Sequence, residues 1–308
     1  MDLSIQTAQW GAEFSELLAV WEGAERLGFR SAWLMDHLVP VVAPPTEPML
    51  EAWSTLAALL ARTSTIRGGV LVSANTFRHP AVLAKMAATI DRMSEGRLEV
   101  GLGAAWNAEE HRANGIAFPA TAARLDMFDE ACEVLRLLWT EPLADFAGRH
   151  YRLEAARCEP KPLQARLPLL LGGRGERRTL RTVARHADRW NGSGSVEMLT
   201  RSVEVLRTHC ADVGRDPSSI SLTVMNEFHL ASDAADVRRR LEAVAVFRGI
   251  TPAEARSRVW IGGPDDIAEL VGAFAAAGFD EAILGLNPPY GPGTIEMLEQ
   301  AAALIGSP

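Results

Sequence analysis

Cysteine pairs, lysine and long apolar runs are what this 308-residue chain has little of. Its cysteines, Cys132, Cys158 and Cys210, stand alone, odd in number and without CxxC spacing. That pattern fits reduced, mostly buried thiols and excludes a disulfide framework or a cysteine zinc site. Lysine occurs only at Lys85 and Lys161, so arginine supplies nearly all positive charge; this reflects genome base composition and carries no chemistry. No apolar run approaches the roughly 18 residues of a membrane helix. The alanine-rich stretch Ala273–Ala277 is too short and reads as a buried helix face. The start lacks a basic segment followed by an apolar one, so no signal peptide is expected and the protein is expected in the cytoplasm. A net charge of −8 and a pI near 5.5 speak against nucleic acid or an anionic membrane as partner.

Several motifs are missing too. No GxGxxG follows the first apolar run; Gly101-x-Gly103 comes late, and no glycine stands three residues further on. No GK[ST] ending makes a Walker loop, and Gly192-Ser193-Gly194-Ser195 is not GxSxG. Glu109-Glu110-His111 reads as the start of a surface turn, and without a second ligand cluster no metal site is expected.

What is present is alternation. Short apolar runs at Leu3–Ala8, Ser31–Met35, Gly69–Val72, Leu98–Leu102, Leu167–Leu171, Ala187–Trp190, Ile220–Val224 and Glu281–Leu284 read as strands. Segments of helical period separate them: Phe14–Leu27, Ala52–Thr63, Pro80–Met93, Ala122–Trp139, Glu176–His186, Val196–Val213, Asp265–Ala277 and Ile295–Ile305. Pro80 suits a first helical turn, and Gly28, Gly96, Gly214 and Gly278 suit helix stops. Eight strand–helix units predict an α/β fold of the (β/α)8 TIM-barrel type, with a doubly wound open sheet as the rival. No linker splits the chain, so residues 1–308 form one expected domain. Three insertions stand out, near 36–51, 141–166 and 232–259. The second contains a hairpin pattern around Phe146–Leu153; the first and third are candidate substrate walls.

The chemistry collects at strand ends. Asp36-His37 follows one strand, where an imidazole tuned by a carboxylate can move a proton near neutral pH; the alternative is a turn cap beside a satisfied loop histidine. Ser73-Ala74-Asn75 ends another, offering small polar contacts to a ring edge or simply a turn. Arg97–Asn107 runs a strand into Gly101, Gly103, Ala104, Trp106 and Asn107, where side chains vanish and a flat or anionic group can approach the backbone. Gly172-Gly173-Arg174-Gly175 precedes a helix with Arg177, Arg178 and Arg181, which is either a phosphate site or a tight turn with a solvated basic face. Trp10, Trp53 and Trp106 with the Pro40–Leu50 loop suggest an apolar aromatic pocket, although buried packing explains tryptophans equally well.

Five segments in order carry a resemblance. They are Ala24–His37, Arg97–Trp106, Phe146-x-Gly-Arg-His-Tyr151, Pro168–Gly173 and His186-Ala-Asp-Arg-Trp-Asn191. Together they are similar to the luciferase-like flavin and deazaflavin oxidoreductases. Within that superfamily the chain most resembles the F420-dependent branch, in which Gly-x-Gly-Ala-Ala-Trp closes the fourth strand. The resemblance implies a barrel binding coenzyme F420 at its C-terminal face and passing hydride to or from a small-molecule substrate. Asp36 and His37 would lie beside the deazaflavin, with His37 the proton donor or acceptor. Ser73-Ala74 would be a non-prolyl cis peptide behind the ring, with Asn75 next to it. Gly101, Gly103, Ala104, Trp106 and Asn107 would follow ring and linker. Gly172, Gly173 and Arg174 would hold the phosphate, and Trp190 and Asn191 would close the neighbouring strand. Ala104 departs from the sugar-phosphate dehydrogenases of the superfamily, which place a glutamate there. That favours reduction of an activated C=C, C=N or C=O bond in a site with few ionisable groups. The alternatives are an FMN-dependent monooxygenase and a non-catalytic flavin-binding barrel. A homodimer is the expected assembly.

Overall fold

A computed structural model describes residues 1–256 and 259–305. In chain order its strands are β1 (Asp2–Thr7), β2 (Ser31–Leu34), β3 (Arg67–Ala74), β4 (Leu98–Gly103), β5 (Ala144–Ala147), β6 (Arg152–Ala156), β7 (Leu169–Gly172), β8 (Arg189–Gly192), β9 (Ser221–Leu230), β10 (Val259–Gly262) and β11 (Glu281–Leu286). The helices are α1 (Phe14–Arg26), α2 (Ala52–Arg62), α3 (Pro80–Met93), α4 (Ala108–Ala113), α5 (Thr121–Thr140), α6 (Thr179–His186), α7 (Val196–Asp212), α8 (Ala234–Arg248), α9 (Pro252–Arg256), α10 (Pro264–Ala276) and α11 (Pro292–Ile305).

Eight parallel strands close a TIM barrel in the order β1-β2-β3-β4-β7-β8-β9-β11, and β11 returns to β1 with Asp2 opposite Glu281. The expected strands and helices form within a few residues of their predicted ends, and α3 has the predicted bounds. Local chemistry explains several of those ends. Glu51 accepts from the amides of Trp53 (3.0 Å) and Ser54 (2.7 Å) to cap α2. Gly28 and Gly278 follow α1 and α10 at φ +77° and +89°, the left-handed backbone that glycine adopts without penalty. The antiparallel β5–β6 pair is the expected hairpin.

Three expectations change. The strand predicted over Ile220–Val224 continues to Leu230, because its second half pairs with β10 outside the barrel (Glu227–Leu230 against Val259–Gly262). The 232–259 insertion, a candidate substrate wall by sequence, is built of regular elements. Its described residues form α8, α9 and the start of β10, and residues 257 and 258 lie outside the described residues. Helix α6 begins at Thr179, three residues later than predicted, with Glu176–Arg178 in a turn.

The barrel interior is layered. Trp33, Leu71, Leu170 and Ile283 fill its middle, with Val72 and Met225 packed above. At the N-terminal ends of the strands Glu99, Glu281 and Arg189 are buried together. Arg189 bonds Glu99 at 2.6 Å and also pairs with Glu281. Arg30 and Arg67 reach Glu99 at 2.9 and 2.6 Å, and Ser31 Oγ donates to Glu281 (2.8 Å). Burial pushes the Glu99 carboxyl up, but the Arg189, Arg30 and Arg67 guanidiniums outweigh it and bring it down to about 2. Among the described residues no helix is long and apolar enough to cross a membrane.

Candidate active site

A cavity of about 590 Å³ opens at the C-terminal ends of the barrel strands, within the range of ~300–1,000 Å³ typical of cofactor and ligand pockets. Its floor is a distortion in β3. The β3–β4 register shifts between Val70 and Ser73, so one extra residue bulges out of β3, and the Leu71–Val72 peptide inside the bulge is cis. The expected cis bond at Ser73-Ala74 is thus displaced by two residues, onto the part of the strand that has no ladder partner. Gln6 Nε2 donates to the Leu71 carbonyl (2.8 Å) and holds it from β1, two strands away.

The glycines of the neighbouring strands follow from this bulge. A Cβ on Gly101 would sit 2.1 Å from the Val70 carbonyl oxygen, and one on Gly103 would sit 2.6 Å from Val72 Cγ2. A Cβ on Gly172 would come within 3.0 Å of Val72 Cγ1. Gly101 is therefore spent on the bulge and lies outside the cavity, whereas Gly103 and Gly172 both make room for Val72 and line the cavity.

Asp36 and His37 both line the cavity, but they are not partners. The buried Asp36 carboxylate accepts from Ala74 N (2.9 Å) and takes a bidentate pair from Arg78 at 2.6 and 3.0 Å. It anchors the segment that leaves the bulge. The carboxylate beside His37 is Glu110, 73 residues away in sequence, with Oε2 2.9 Å from Nδ1. The other Glu110 oxygen accepts from the amides of Leu38 (2.5 Å) and Val39 (3.4 Å). Burial pushes the Glu110 carboxyl up, yet the hydrogen bonds from His37, Leu38 and Val39 outweigh it and hold it below the ordinary carboxylate range. An ionised carboxylate only accepts, so His37 Nδ1 carries a hydrogen, and Nε2 has no partner among the described residues. Glu110 and His111 belong to α4 and are buried, so the expected surface turn is a helix, capped by Asn107 Oδ1 on Glu110 N (3.2 Å). Sequence reasoning missed Glu110 as a site residue; its spacing to His37 carries no signal.

The other expected residues divide. Ser73, Ala74, Gly103, Ala104, Trp106, Asn107, Gly172, Gly173, Arg174 and Asn191 line the cavity. Asn75 and Trp190 stand behind it. Asn75 Nδ2 donates to the Tyr151 hydroxyl (3.2 Å), and Trp190 Nε1 donates to the Gly173 carbonyl (2.8 Å), bracing the Gly172–Gly175 turn. Of the three tryptophans only Trp106 lines the cavity, 67% exposed at its mouth, with its ring edge-on to His37 at 5.7 Å. Trp10 and Trp53 are core residues, and Trp53 Nε1 donates to Ser73 Oγ (2.9 Å). The 36–51 segment does form a wall, through Asp36 and His37 here and Val42 in a small adjoining cavity. No described residue of the 232–259 insertion lines either cavity. Ser195 caps α7 by accepting from Met198 N (3.3 Å), and Ser193 bonds Asn226, so neither is a nucleophile paired with a base. Unassigned by sequence, Ala105 lines the cavity at φ +62°, a conformation costing about 1–2 kcal/mol for a residue with a Cβ.

A phosphate-bearing flat coenzyme fits this donor set. The Gly172–Gly175 turn presents backbone and Arg174 at one side of the cavity, and the Val72 bulge with Gly103 and Ala104 gives a small-residue surface at the floor.

The luciferase-like monooxygenase family profile matches residues 2–258, and the chain belongs to that family. An uncharacterized protein of Mycobacterium tuberculosis is 31% identical over 218 residues, 65% of this chain and 76% of that one. A phthiodiolone/phenolphthiodiolone dimycocerosates ketoreductase of Mycobacterium kansasii is 28% identical over 258 residues, covering 77% of this chain and 68% of its own. In structure, an F420-dependent secondary alcohol dehydrogenase in complex with an F420-acetone adduct superposes with a TM-score of 0.88 at 19% identity, over 99% of this chain and 98% of that chain. At that identity the likeness establishes the barrel.

Proposed function

We propose that the protein is an F420-dependent oxidoreductase that reduces an activated C=O, C=C or C=N bond of a small organic substrate. The observation that carries this reading is the His37–Glu110 pair at the cavity wall, above a bulged floor and opposite a phosphate-type turn. The bound deazaflavin would supply the hydride. His37 Nε2 then handles the accompanying proton, and the Glu110 carboxylate stabilises the imidazolium form and fixes the ring orientation. The site thus holds one more ionisable group than Ala104 alone implies, supplied by α4. Gly173 and Arg174 would hold the phosphate, with Trp190 bracing the turn. Trp106, at the mouth, would cover the reacting face and limit water. The relative named as a ketoreductase supports reduction of a carbonyl; a cytoplasmic homodimer is a separate part of the proposal, and the mass by light scattering tests the dimer.

An FMN-dependent monooxygenase is the second reading, favoured by the name of the family that the profile matches. Parallel titrations with F420 and FMN, followed by intrinsic tryptophan fluorescence, separate the two. Micromolar or tighter F420 with weak FMN supports the deazaflavin; the reverse order supports the monooxygenase.

A further inference from the structure

Beyond the phosphate-type turn, a second cleft of about 370 Å³ runs between α5, α6 and the β5–β6 hairpin. It shares Leu125 with the main cavity, and Thr179 of the main cavity directly follows Arg178 of the cleft. Five arginines line it: Arg149, Arg177, Arg178, Arg181 and Arg185. Its carboxylates already have partners. Asp126 pairs with Arg178 and lies 3.7 Å from Arg149. Asp129 pairs with Arg185 and accepts from Thr182 (3.0 Å). Glu130 accepts the amides of Arg149, His150 and Tyr151 at 2.8 to 3.0 Å. Arg177 and Arg181 make no hydrogen bond or ion pair among the described residues, and both are exposed. Two guanidiniums lining one cleft repel each other, so the pair gains from any anion placed between them. In a chain of net charge −8, the cleft carries five guanidiniums against three carboxylates, and it starts where a phosphate would sit.

We propose that this cleft binds a chain of carboxylates that continues outward from the cofactor phosphate, with Arg177 and Arg181 as its principal contacts. The proposal rests on the F420 reading, since F420 carries a glutamyl tail beyond its phosphate whereas FMN ends there. Exposed guanidinium–carboxylate pairs are individually weak and screened by salt, so the two free arginines with a flexible polyanion amount to about a tenfold gain in affinity.

The test is a fluorescence titration of the full chain with F420 bearing two or more glutamates and with the same deazaflavin phosphate bearing none. It is repeated at low and high salt and on the double variant Arg177→Glu/Arg181→Glu, with the melting temperature as the check on folding. Tailed F420 binding about tenfold tighter, with the gap closing in the variant and at high salt, is the expected result. Equal affinity for the two compounds in the wild-type protein overturns the tail site and leaves the cofactor reading standing. A gap that persists in the variant overturns the assignment to this cleft. Failure of both deazaflavins to bind removes the cofactor reading, and the tail site with it.

Discussion

The two ends of the barrel are built on opposite principles. At the N-terminal end Glu99 and Glu281 are fully buried, yet every carboxylate has a guanidinium or a hydroxyl. At the C-terminal end the chain leaves a cavity, and among the described residues one ring nitrogen of His37 has no protein partner and the buried Gln6 Oε1 has none either. Polar groups satisfied within the fold add rigidity; groups left unsatisfied are where a ligand can supply the missing bond. The closed end holds the strands in register, and the open end is free to carry chemistry.

The largest expected effect breaks the closed end. Arg189→Ala leaves two buried carboxylates short of their shared cation and should cost about 3–5 kcal/mol in urea unfolding. F420 affinity of the remaining folded protein should be unchanged. At the open end the effect falls on catalysis: His37→Gln should lower kcat by about 10²–10⁴-fold with little loss of stability. Glu110→Gln sharpens the point, because an amide cannot offer acceptor oxygens to both the His37 ring and the Leu38 amide as the carboxylate does. With the ring held less firmly, kcat should fall while cofactor binding is retained.

Acid separates the ends as well. The folded Glu99 carboxyl lies at about 2, below its ordinary 4.5, so its contribution is fully present above pH 4.5 and is lost as pH falls towards 2. That contribution is on the order of 3 kcal/mol, so urea midpoints should drop through this window in the wild type and less in Glu99→Gln. Gly101→Ala is smaller, about 1–3 kcal/mol, because its Cβ meets the Val70 carbonyl, and it should weaken cofactor binding by shifting the bulge. Trp106→Ala should change stability by less than about 0.5 kcal/mol, since the side chain is mostly exposed, while raising KM.

The sequence exposes the closed end poorly and the open end well, for physical reasons. Glycine and alanine runs at strand ends, Asp36-His37 and the Gly172–Gly175 turn are local patterns, and the structure gathers most of them round one cavity. The family and the barrel were legible from the same segments. What escaped depends on contacts between distant residues. Glu110 meets His37 across 73 residues, and Arg189 meets Glu99 across 90. The four-residue strand β10 is too short for a period to show, and it forms because β9 offers it an edge. Asn75 and Trp190 were placed beside the right elements, but pleat alternation and the depth of the turn put their side chains behind the cavity.

The most direct measurement is turnover of reduced F420 by the wild-type protein with a panel of ketones, enones and imines, in the presence and absence of oxygen. Substrate-dependent oxidation of reduced F420 that is indifferent to oxygen and collapses in His37→Gln is the expected result. Turnover that needs oxygen and reduced FMN, or that survives the loss of His37 unchanged, would contradict the account.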